Sequence, residues 1–242
     1  MSKSDRIYAE SRSFVVDFTF DRAVAEVFPD MIRRSVPGYE TVISTLGVLA
    51  QSHFRPATRV YDLGCSLGAA TLSVHRCLGD ADAHYVLVDN ASAMLGRCRE
   101  HLDRLMPGAS VEYREADIRA VPVENASVVI LNFTIQFVPP GDRLALLENI
   151  HAGLVPGGCL ILSEKVLGED PAEDRCFSDL HLRFKAANGY SDLEISQKRS
   201  ALERVLRPDS LAQHQERLSR AGFASIRTWF RCLNFVSLLA VK

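Results

Sequence analysis

From residue 58 onward, short apolar runs alternate with stretches in which apolar residues recur every three or four positions. Each apolar run is too short for a buried helix and is followed by turn residues, which favours buried strands. The five strands predicted in this way cover residues 58–63, 84–89, 110–116, 127–133 and 159–164. Between the last two, Leu144, Leu147 and Ile150 fall on one helical stripe. Strands that alternate with helices predict a parallel sheet with right-handed crossovers.

The two ends of the chain and one internal segment do not follow this alternation. Asp21 is a good N-cap for a first helix that Pro29 should end or kink, and residues 41–54 predict a second helix. The insertion at 166–212 has helical patterns and a basic amphipathic stretch that reaches Arg207. After a further helix, two apolar runs predict a terminal pair of strands, the last of them antiparallel in the sheet.

These patterns predict a single α/β domain that spans residues 1–242. Its parts would be an N-terminal helical cap (1–56), a core (57–165), a helical insertion after the fifth strand (166–212) and a closing helix with a strand pair (213–242). The sheet would have seven strands and be mostly parallel, with an antiparallel C-terminal strand. A chain of 242 residues that is 47% hydrophobic is long enough to bury a core of this size.

Composition excludes several classes of function. A net charge of -2 gives no general electrostatic reason to bind nucleic acid or a membrane surface. No apolar run reaches membrane-spanning length and no signal peptide is recognisable, so we expect a cytoplasmic protein. The six cysteines lack a C-x-x-C pair and the seven histidines lack metal-ligand spacing, which predicts free thiols and no metal site.

The first strand leads into a glycine-rich turn and then a helix, an arrangement that cradles nucleotides. Gly64 and Gly68 let the backbone approach a ligand, and the start of the helix offers unpaired N–H groups. The spacing is G-x-S-x-G, with Cys65 and Ser66 inside the turn, and differs from the dinucleotide form G-x-G-x-x-G. Asp62 would repel phosphate here but would pair with the ammonium group of a ligand. A tight structural turn is the alternative interpretation.

Polar residues follow the next three strands where each of them should end. Asp89 and Asn90 come about twenty residues after the glycine turn, where a carboxylate accepts ribose hydroxyls. Asp117 and Ile118 suit the exocyclic amine and the ring face of an adenine, although Asp117 could equally be a cap or turn residue. Asn132 interrupts the fourth apolar run. The switch-point rule for parallel sheets brings all of these positions to one crevice.

These motifs resemble those of class I methyltransferases that use S-adenosyl-L-methionine (SAM). The resemblance rests on the Asp62–Gly68 turn and on the L-x-P-G-G-x-L pattern of residues 154–160. It implies a Rossmann-like class I SAM methyltransferase fold. In that fold the closing strand pair distinguishes the sheet from an ordinary dinucleotide-binding sheet.

A closer resemblance covers nearly the whole chain. The sequence is similar to the bacterial carboxy-S-adenosyl-L-methionine synthases, and the similarity extends into the insertion, where ordinary methyltransferases diverge most. The matching segments are residues 18–21, 24–32, 34–39, 60–74, 125–127, 131–134, 187–191 and 193–200. Phe18 stands where this family is expected to have Trp, a swap that keeps an aromatic ring.

The resemblance implies a reaction in which prephenate carboxylates the methyl group of SAM, giving carboxy-S-adenosyl-L-methionine and phenylpyruvate. The product would supply a partner enzyme that modifies the wobble uridine of tRNA. The resemblance also suggests a homodimer. The balanced charge and the short basic pairs predict no direct contact with nucleic acid. By matching position, the residues that bind SAM or its carboxylated product are Tyr39, Gly64, Cys65, Ser66, Asp89, Asn90, Asp117, Ile118, Asn132 and Arg199.

In this assignment Arg199 binds the carboxylate that the reaction adds. A guanidinium grips a planar carboxylate with two parallel hydrogen bonds, whereas a cation beside the methyl group would disfavour a sulfonium in simple methyl transfer. The alternatives for these residues are a solvated Arg199 on an amphipathic helix and a half-buried Tyr39 in a helix cap. For the whole chain, the alternatives are an ordinary SAM-dependent small-molecule methyltransferase and a non-catalytic SAM-binding module.

Overall fold

The computed structural model describes residues 3–11 and 13–242 and contains one seven-stranded sheet. Its strands are β1 (Thr58–Leu63), β2 (Ala83–Asp89), β3 (Ser110–Glu115), β4 (Ala126–Asn132), β5 (Leu154–Lys165), β6 (Ser225–Cys232) and β7 (Phe235–Val241). The spatial order is β3-β2-β1-β4-β5-β7-β6. Strands β1 to β5 pair in parallel, and β7 is antiparallel to both β5 and β6. The predicted seven-stranded, mostly parallel sheet is therefore confirmed.

Helices cover the sheet and extend from it at the N-terminus and after β5. They are α1 (Arg22–Ser35), α2 (Tyr39–His53), α3 (Ala69–Leu78), α4 (Ser92–Leu105), α5 (Arg143–Gly153), α6 (Pro171–Ala187), α7 (Asp192–Leu202) and α8 (Leu211–Arg220). α8 begins two residues before the boundary predicted for the closing segment. β5 begins at Leu154 and not at Cys159, because Leu154 already pairs with Ala126 of β4.

The centre of the sheet is buried on both faces. Residues 126–131 of β4 are all buried, as expected of a central parallel strand. Alternate residues of each strand supply two apolar clusters, one containing Val129 and Leu131 and the other Val128 and Ile130. The sheet is thus a rigid support for the loops that follow its carboxyl ends.

The N-terminal helix starts as predicted but continues past Pro29. Asp21 caps α1 by accepting a hydrogen bond from the backbone N–H of Val24 at 2.9 Å, and the helix runs to Ser35. Pro29 therefore does not end it. Val24, Val27 and Met31 lie on one buried face, and their burial outweighs the one hydrogen bond that a proline removes.

The insertion packs back on the N-terminal cap. α6 contacts α1, and α7 begins with a capping box in which Ser191 and Glu194 satisfy each other's backbone N–H groups. α7 ends at Leu202, so the basic stretch toward Arg207 is only partly helical. Within 3–11 and 13–242, no helix is long and apolar enough to cross a membrane.

Candidate functional site

Two adjoining cavities open at the carboxyl ends of β1, β2 and β4. The larger has a volume of about 900 Å³ and the smaller about 200 Å³. Gly64, Ser66, Asn132 and Phe133 line both. Tyr39, Cys65 and Asp62 line the larger cavity only, and the smaller one is lined by Asp89, Asn90, Asp117 and Ile118. Nine of the ten predicted site residues therefore meet at one crevice, and only Arg199 does not.

The two glycines of the turn are each required by a different neighbouring side chain. Gly64 has φ +81°, and a Cβ there would overlap the side chain of Thr134. Gly68 has φ +79°, and a Cβ there would lie 2.7 Å from the side chain of Leu102. Gly68 is therefore needed for packing on α4, whereas the sequence had suggested close approach to a ligand.

Two polar side chains at the crevice lack partners. Among the described residues, nothing hydrogen-bonds to the buried Oγ of Ser66 or to the buried Oδ1 of Asn132. Ser66 also has φ +52° and its neighbour in the cavity wall, Phe133, has φ +61°. Such backbone conformations cost about 1–3 kcal/mol each and cluster at ligand sites. A bound ligand would satisfy the two orphaned oxygens, so the cradle fits a polar molecule.

Asp89 joins the glycine turn to the end of β2. Its carboxylate accepts one hydrogen bond from the backbone N–H of Ser66 and one from that of Ala91, both at 2.9 Å. Burial raises the pKa of Asp89, and these two backbone donors oppose the rise. Each oxygen keeps a free lone pair, which is what recognition of two vicinal hydroxyls requires.

Asp117 acts as a turn residue, the alternative that the sequence left open. It caps a short helical turn by accepting from the backbone N–H of Arg119 at 2.9 Å, and it forms an ion pair with the Arg119 guanidinium. The hydrogen bonds from Arg119 lower the pKa of Asp117. The residue still borders the smaller cavity beside Ile118, so contact with an adenine stays a prediction.

Asp62 is a buried carboxylate beside the larger cavity. It is 1% exposed and accepts a hydrogen bond from Thr71 Oγ1 at 2.7 Å. Burial raises the pKa of Asp62 to about 6, and the charge of Asp89 adds to the rise. An ammonium group in the cavity would offset this cost, in agreement with the role suggested by the sequence.

Tyr39 and Cys65 line the same cavity as uncharged groups. Tyr39 begins α2, and its ring lies 6.3 Å from that of Phe133. Burial raises the pKa of the Tyr39 hydroxyl. A hydrogen bond with Cys98 and burial raise the pKa of the Cys65 thiol well above its usual range, which favours a space-filling role.

Sequence reasoning missed an aromatic wall and a buried carboxylate. Phe20 stacks edge-on against Phe137, with ring centroids 5.5 Å apart, and also contacts Phe28. These rings border the cavities and bring the N-terminal cap onto the core. The only sequence signal for Phe20 was its place in a segment matching the family.

Glu164, near the end of β5, holds the loop that follows β4. Its oxygens accept from the backbone N–H groups of Thr134, Ile135 and Gln136 at 3.1, 2.8 and 3.2 Å. Burial raises the pKa of Glu164 to about 8, although these hydrogen bonds oppose the rise. Glu164 therefore fixes Phe133 and Thr134 in the cavity wall without touching the cavity itself.

Arg199 lies away from both cavities. Its side chain is 65% exposed and forms an ion pair with Glu203, one turn along α7, at 3.3 Å. Burial lowers the pKa values of Lys165 and Lys185, and the charge of Arg199 adds a smaller lowering to both. The described residues do not hold Arg199 against the adenosyl crevice, and its role stays a prediction.

Comparison with known protein folds identifies the architecture. Residues 60–158 match a family model described as a methyltransferase domain. An O-methyltransferase family protein from Burkholderia thailandensis aligns with a TM-score of 0.63 over 92% of this chain, at 18% identity. Human N-acetylserotonin methyltransferase, solved in complex with SAM, aligns with a TM-score of 0.59 over 91%, also at 18% identity. The chain spans 60% and 55% of those two structures, and at this identity they establish the fold alone.

Curated relatives are far closer and cover the whole chain. A carboxy-S-adenosyl-L-methionine synthase of Vibrio atlanticus is 53% identical over 242 residues, which is all of both chains. The enzyme of the same name from Vibrio vulnificus is 54% identical over 241 residues, 100% of this chain and 98% of that one. This chain belongs to the carboxy-S-adenosyl-L-methionine synthase family.

Proposed function

We propose that this protein uses prephenate to carboxylate SAM, which yields carboxy-S-adenosyl-L-methionine and phenylpyruvate. One observation carries the proposal more than any other. The methyltransferase-domain match ends at residue 158, whereas similarity to the carboxy-S-adenosyl-L-methionine synthases covers all 242 residues. The insertion that holds Arg199 is thus shared with carboxylating relatives and lies outside the general methyltransferase match.

The proposed chemistry balances without an added oxidant or metal. Prephenate loses carbon dioxide and hydroxide to become phenylpyruvate. The hydroxide removes a proton from the SAM methyl group and becomes water, which leaves a sulfonium ylide. The ylide carbon then forms a bond to carbon dioxide. These reaction steps need no basic side chain from the protein. The protein therefore contributes by positioning the two substrates and excluding water.

The crevice offers a place for each part of SAM. Asp89 and Asn90 would bind the ribose, and Asp117 with Ile118 would bind the adenine in the smaller cavity. Asp62 would attract the ammonium group in the larger cavity, whose volume of about 900 Å³ leaves room for a second substrate. The aromatic wall of Phe20 and Phe137 would keep water from the adenosyl group.

Arg199 would bind the new carboxylate. Its side chain is 65% exposed, and within the described residues its ion pair is with Glu203. Such a side chain can reorient at little cost, because exposed i,i+4 ion pairs contribute about 0.3–0.5 kcal/mol. It would serve either its own crevice or that of a second subunit in the homodimer expected from the family.

The experiment is a reaction of the protein with SAM and prephenate labelled in the ring carboxyl group. We expect label in carboxy-S-adenosyl-L-methionine, identified by mass, together with equimolar phenylpyruvate. Product without label would contradict the proposal. Protein isolated with S-adenosylhomocysteine alone would favour an ordinary methyltransferase, and SAM bound but unchanged by prephenate would favour a binding module.

The wider biological role rests on the same family membership. We propose that the product serves a partner enzyme in wobble-uridine modification and that the protein itself makes no contact with tRNA. The balanced net charge of -2 supports the second point. A cytoplasmic homodimer remains our expectation, which sedimentation of the purified protein tests for the oligomeric state.

A further inference from the structure

A cluster of basic side chains lies at the end of β5, outside both cavities. Lys165 ends β5, Lys185 lies in the last turn of α6, and Lys198 lies on α7. Lys185 and Lys198 are only 7% and 4% exposed. Charged groups are seldom buried unless they are paired, so each of these lysines needs an explanation.

Local partners explain one of the three. Lys198 Nζ lies 3.4 Å from a carboxylate oxygen of Asp5 and 3.0 Å from Ser35 Oγ at the end of α1. The nearby His181 binds the Ser35 carbonyl oxygen through Nε2 at 2.7 Å. Burial and neighbouring lysines lower the pKa of His181 to about 3, so it carries no charge at neutral pH.

Lys165 and Lys185 lack such partners. In the described part of the chain, no carboxylate lies within ion-pair distance of either ammonium group. Burial, followed by repulsion from Lys198, Lys165 and Arg199, lowers the pKa of Lys185 to about 7. Burial also lowers the pKa of Lys165, and attraction to the Asp174 carboxylate opposes this lowering only in part. A buried Lys185 next to a half-buried Lys165 destabilises the free protein, because their like charges repel, unless an anion binds them.

Aromatic contacts connect this cluster to the crevice. The ring of His181, one helical turn before Lys185, lies 5.0 Å from the ring of Phe235. Phe235 pairs with Lys165 across β5 and β7, and its ring lies 6.0 Å from that of Phe133. Phe133 lines both cavities. A chain of ring contacts therefore runs from His181 through Phe235 to Phe133 in the cavity wall.

We propose that Lys165 and Lys185 form the subsite for the carboxylate that the carboxyl donor keeps through the reaction. This inference rests on the proposed function, in which prephenate carries two carboxylates and loses one. A cation on the departing carboxylate would stabilise the ground state and slow its loss, because catalysis requires tighter binding of the transition state. The lysines therefore suit the α-keto acid arm, which is common to prephenate and phenylpyruvate.

The kinetic test compares Lys185→Met and Lys165→Met with the wild-type protein. We expect the KM for prephenate to rise about tenfold to hundredfold, the range for a charged hydrogen bond, while kcat changes less than about threefold. The inhibition constant of phenylpyruvate should rise by the same factor, and the KM for SAM should stay unchanged. Arg183→Met is the control, since Arg183 is exposed on the same helix.

Thermal unfolding separates a binding role from a structural one. Without substrates, Lys185→Met should melt at a higher temperature than wild type, because it removes a buried charge that has no partner. A lower melting temperature together with an unchanged KM for prephenate would overturn the subsite and make Lys185 a structural residue.

The wild-type reaction distinguishes failure of the subsite from failure of the proposed function. Turnover of prephenate by wild type, with unchanged KM and phenylpyruvate inhibition in both variants, would overturn the subsite alone. No carboxylated product from wild type would overturn the proposed function and the subsite together.

Discussion

At the scale of single residues, the crevice is built from groups that are unfavourable in the empty protein. Ser66 combines a left-handed backbone conformation with an orphaned hydroxyl, and Asn132 has an orphaned amide oxygen. Their cost is recovered only when a ligand supplies hydrogen bonds. The sequence identified both positions from their places after strands, but it could not show that their polar atoms lack protein partners.

Replacing Ser66 by glycine tests this view. Glycine adopts φ +52° without strain and removes the unpaired hydroxyl, so the melting temperature should not fall. SAM should bind about five- to tenfold more weakly, as expected for the loss of one hydrogen bond of about 1 kcal/mol. Calorimetric titration with SAM measures the change. An unchanged affinity would show that the hydroxyl faces no ligand atom.

Replacing Arg199 tests the carboxylate assignment. Arg199→Met should lower the rate of carboxy-S-adenosyl-L-methionine formation at least about 100-fold, since a bidentate charged contact is lost, and Arg199→Lys should recover only part of it. SAM affinity should change less than about twofold. Arg220→Met is the matched control because Arg220 is also exposed and pairs with Glu216 one turn away. Equal effects of the two methionine variants would refute the role of Arg199.

At the scale of elements, the loop after β4 depends on a side chain from the neighbouring strand. Three backbone N–H groups of this loop donate to Glu164, so Glu164→Ala leaves them without an acceptor. At about 1 kcal/mol for each hydrogen bond, we expect a loss of about 3 kcal/mol in the free energy of unfolding. Urea denaturation measures it, with the exposed Glu148→Ala as control. A loss under 1 kcal/mol would contradict this tethering.

The packing of α6 on α7 should make donor binding dependent on pH. The charged groups around Lys185 are Lys165 on β5 and Lys198 and Arg199 on α7, and His181 on α6 stays neutral. Because burial lowers the pKa of Lys185 to about 7, its ammonium form is lost as pH rises through 7. We expect kcat/KM for prephenate to fall above about pH 7 and this fall to be weaker in Lys185→Met.

The lowered pKa of Lys185 also affects the stability of the protein, which should rise with pH where donor binding falls. A lysine whose pKa is lower in the folded than in the unfolded state destabilises the protein most below its folded pKa. The penalty is relieved between pH 7 and the usual lysine range. Lys185→Met should therefore stabilise the protein most at pH 6 and progressively less toward pH 10, as urea denaturation at each pH would measure. A constant difference across this range would contradict the assignment.

At the scale of the whole molecule, the alternation of apolar runs predicted the sheet because buried parallel strands are apolar throughout. The same alternation predicted that Asp89, Asp117 and Asn132 lie at one crevice, because the carboxyl ends of parallel strands meet at the same edge of the sheet. Pro29 was harder to interpret, because the packing of α1 decides whether a helix survives a proline. The pairing of Glu164 and the crowding of Lys165 and Lys185 join segments distant in sequence, and no local pattern encodes them.

The wall shared by the two cavities has a consequence for how the proposed product leaves. Gly64, Ser66, Asn132 and Phe133 would hold the portion that substrate and product have in common. Contacts with this portion cannot distinguish substrate from product. In the proposed assignment, the added carboxyl group of the product would also bind Arg199. The product would then dissociate more slowly than the substrate. Release of the product to the next enzyme, rather than the chemical step, would limit the rate of turnover.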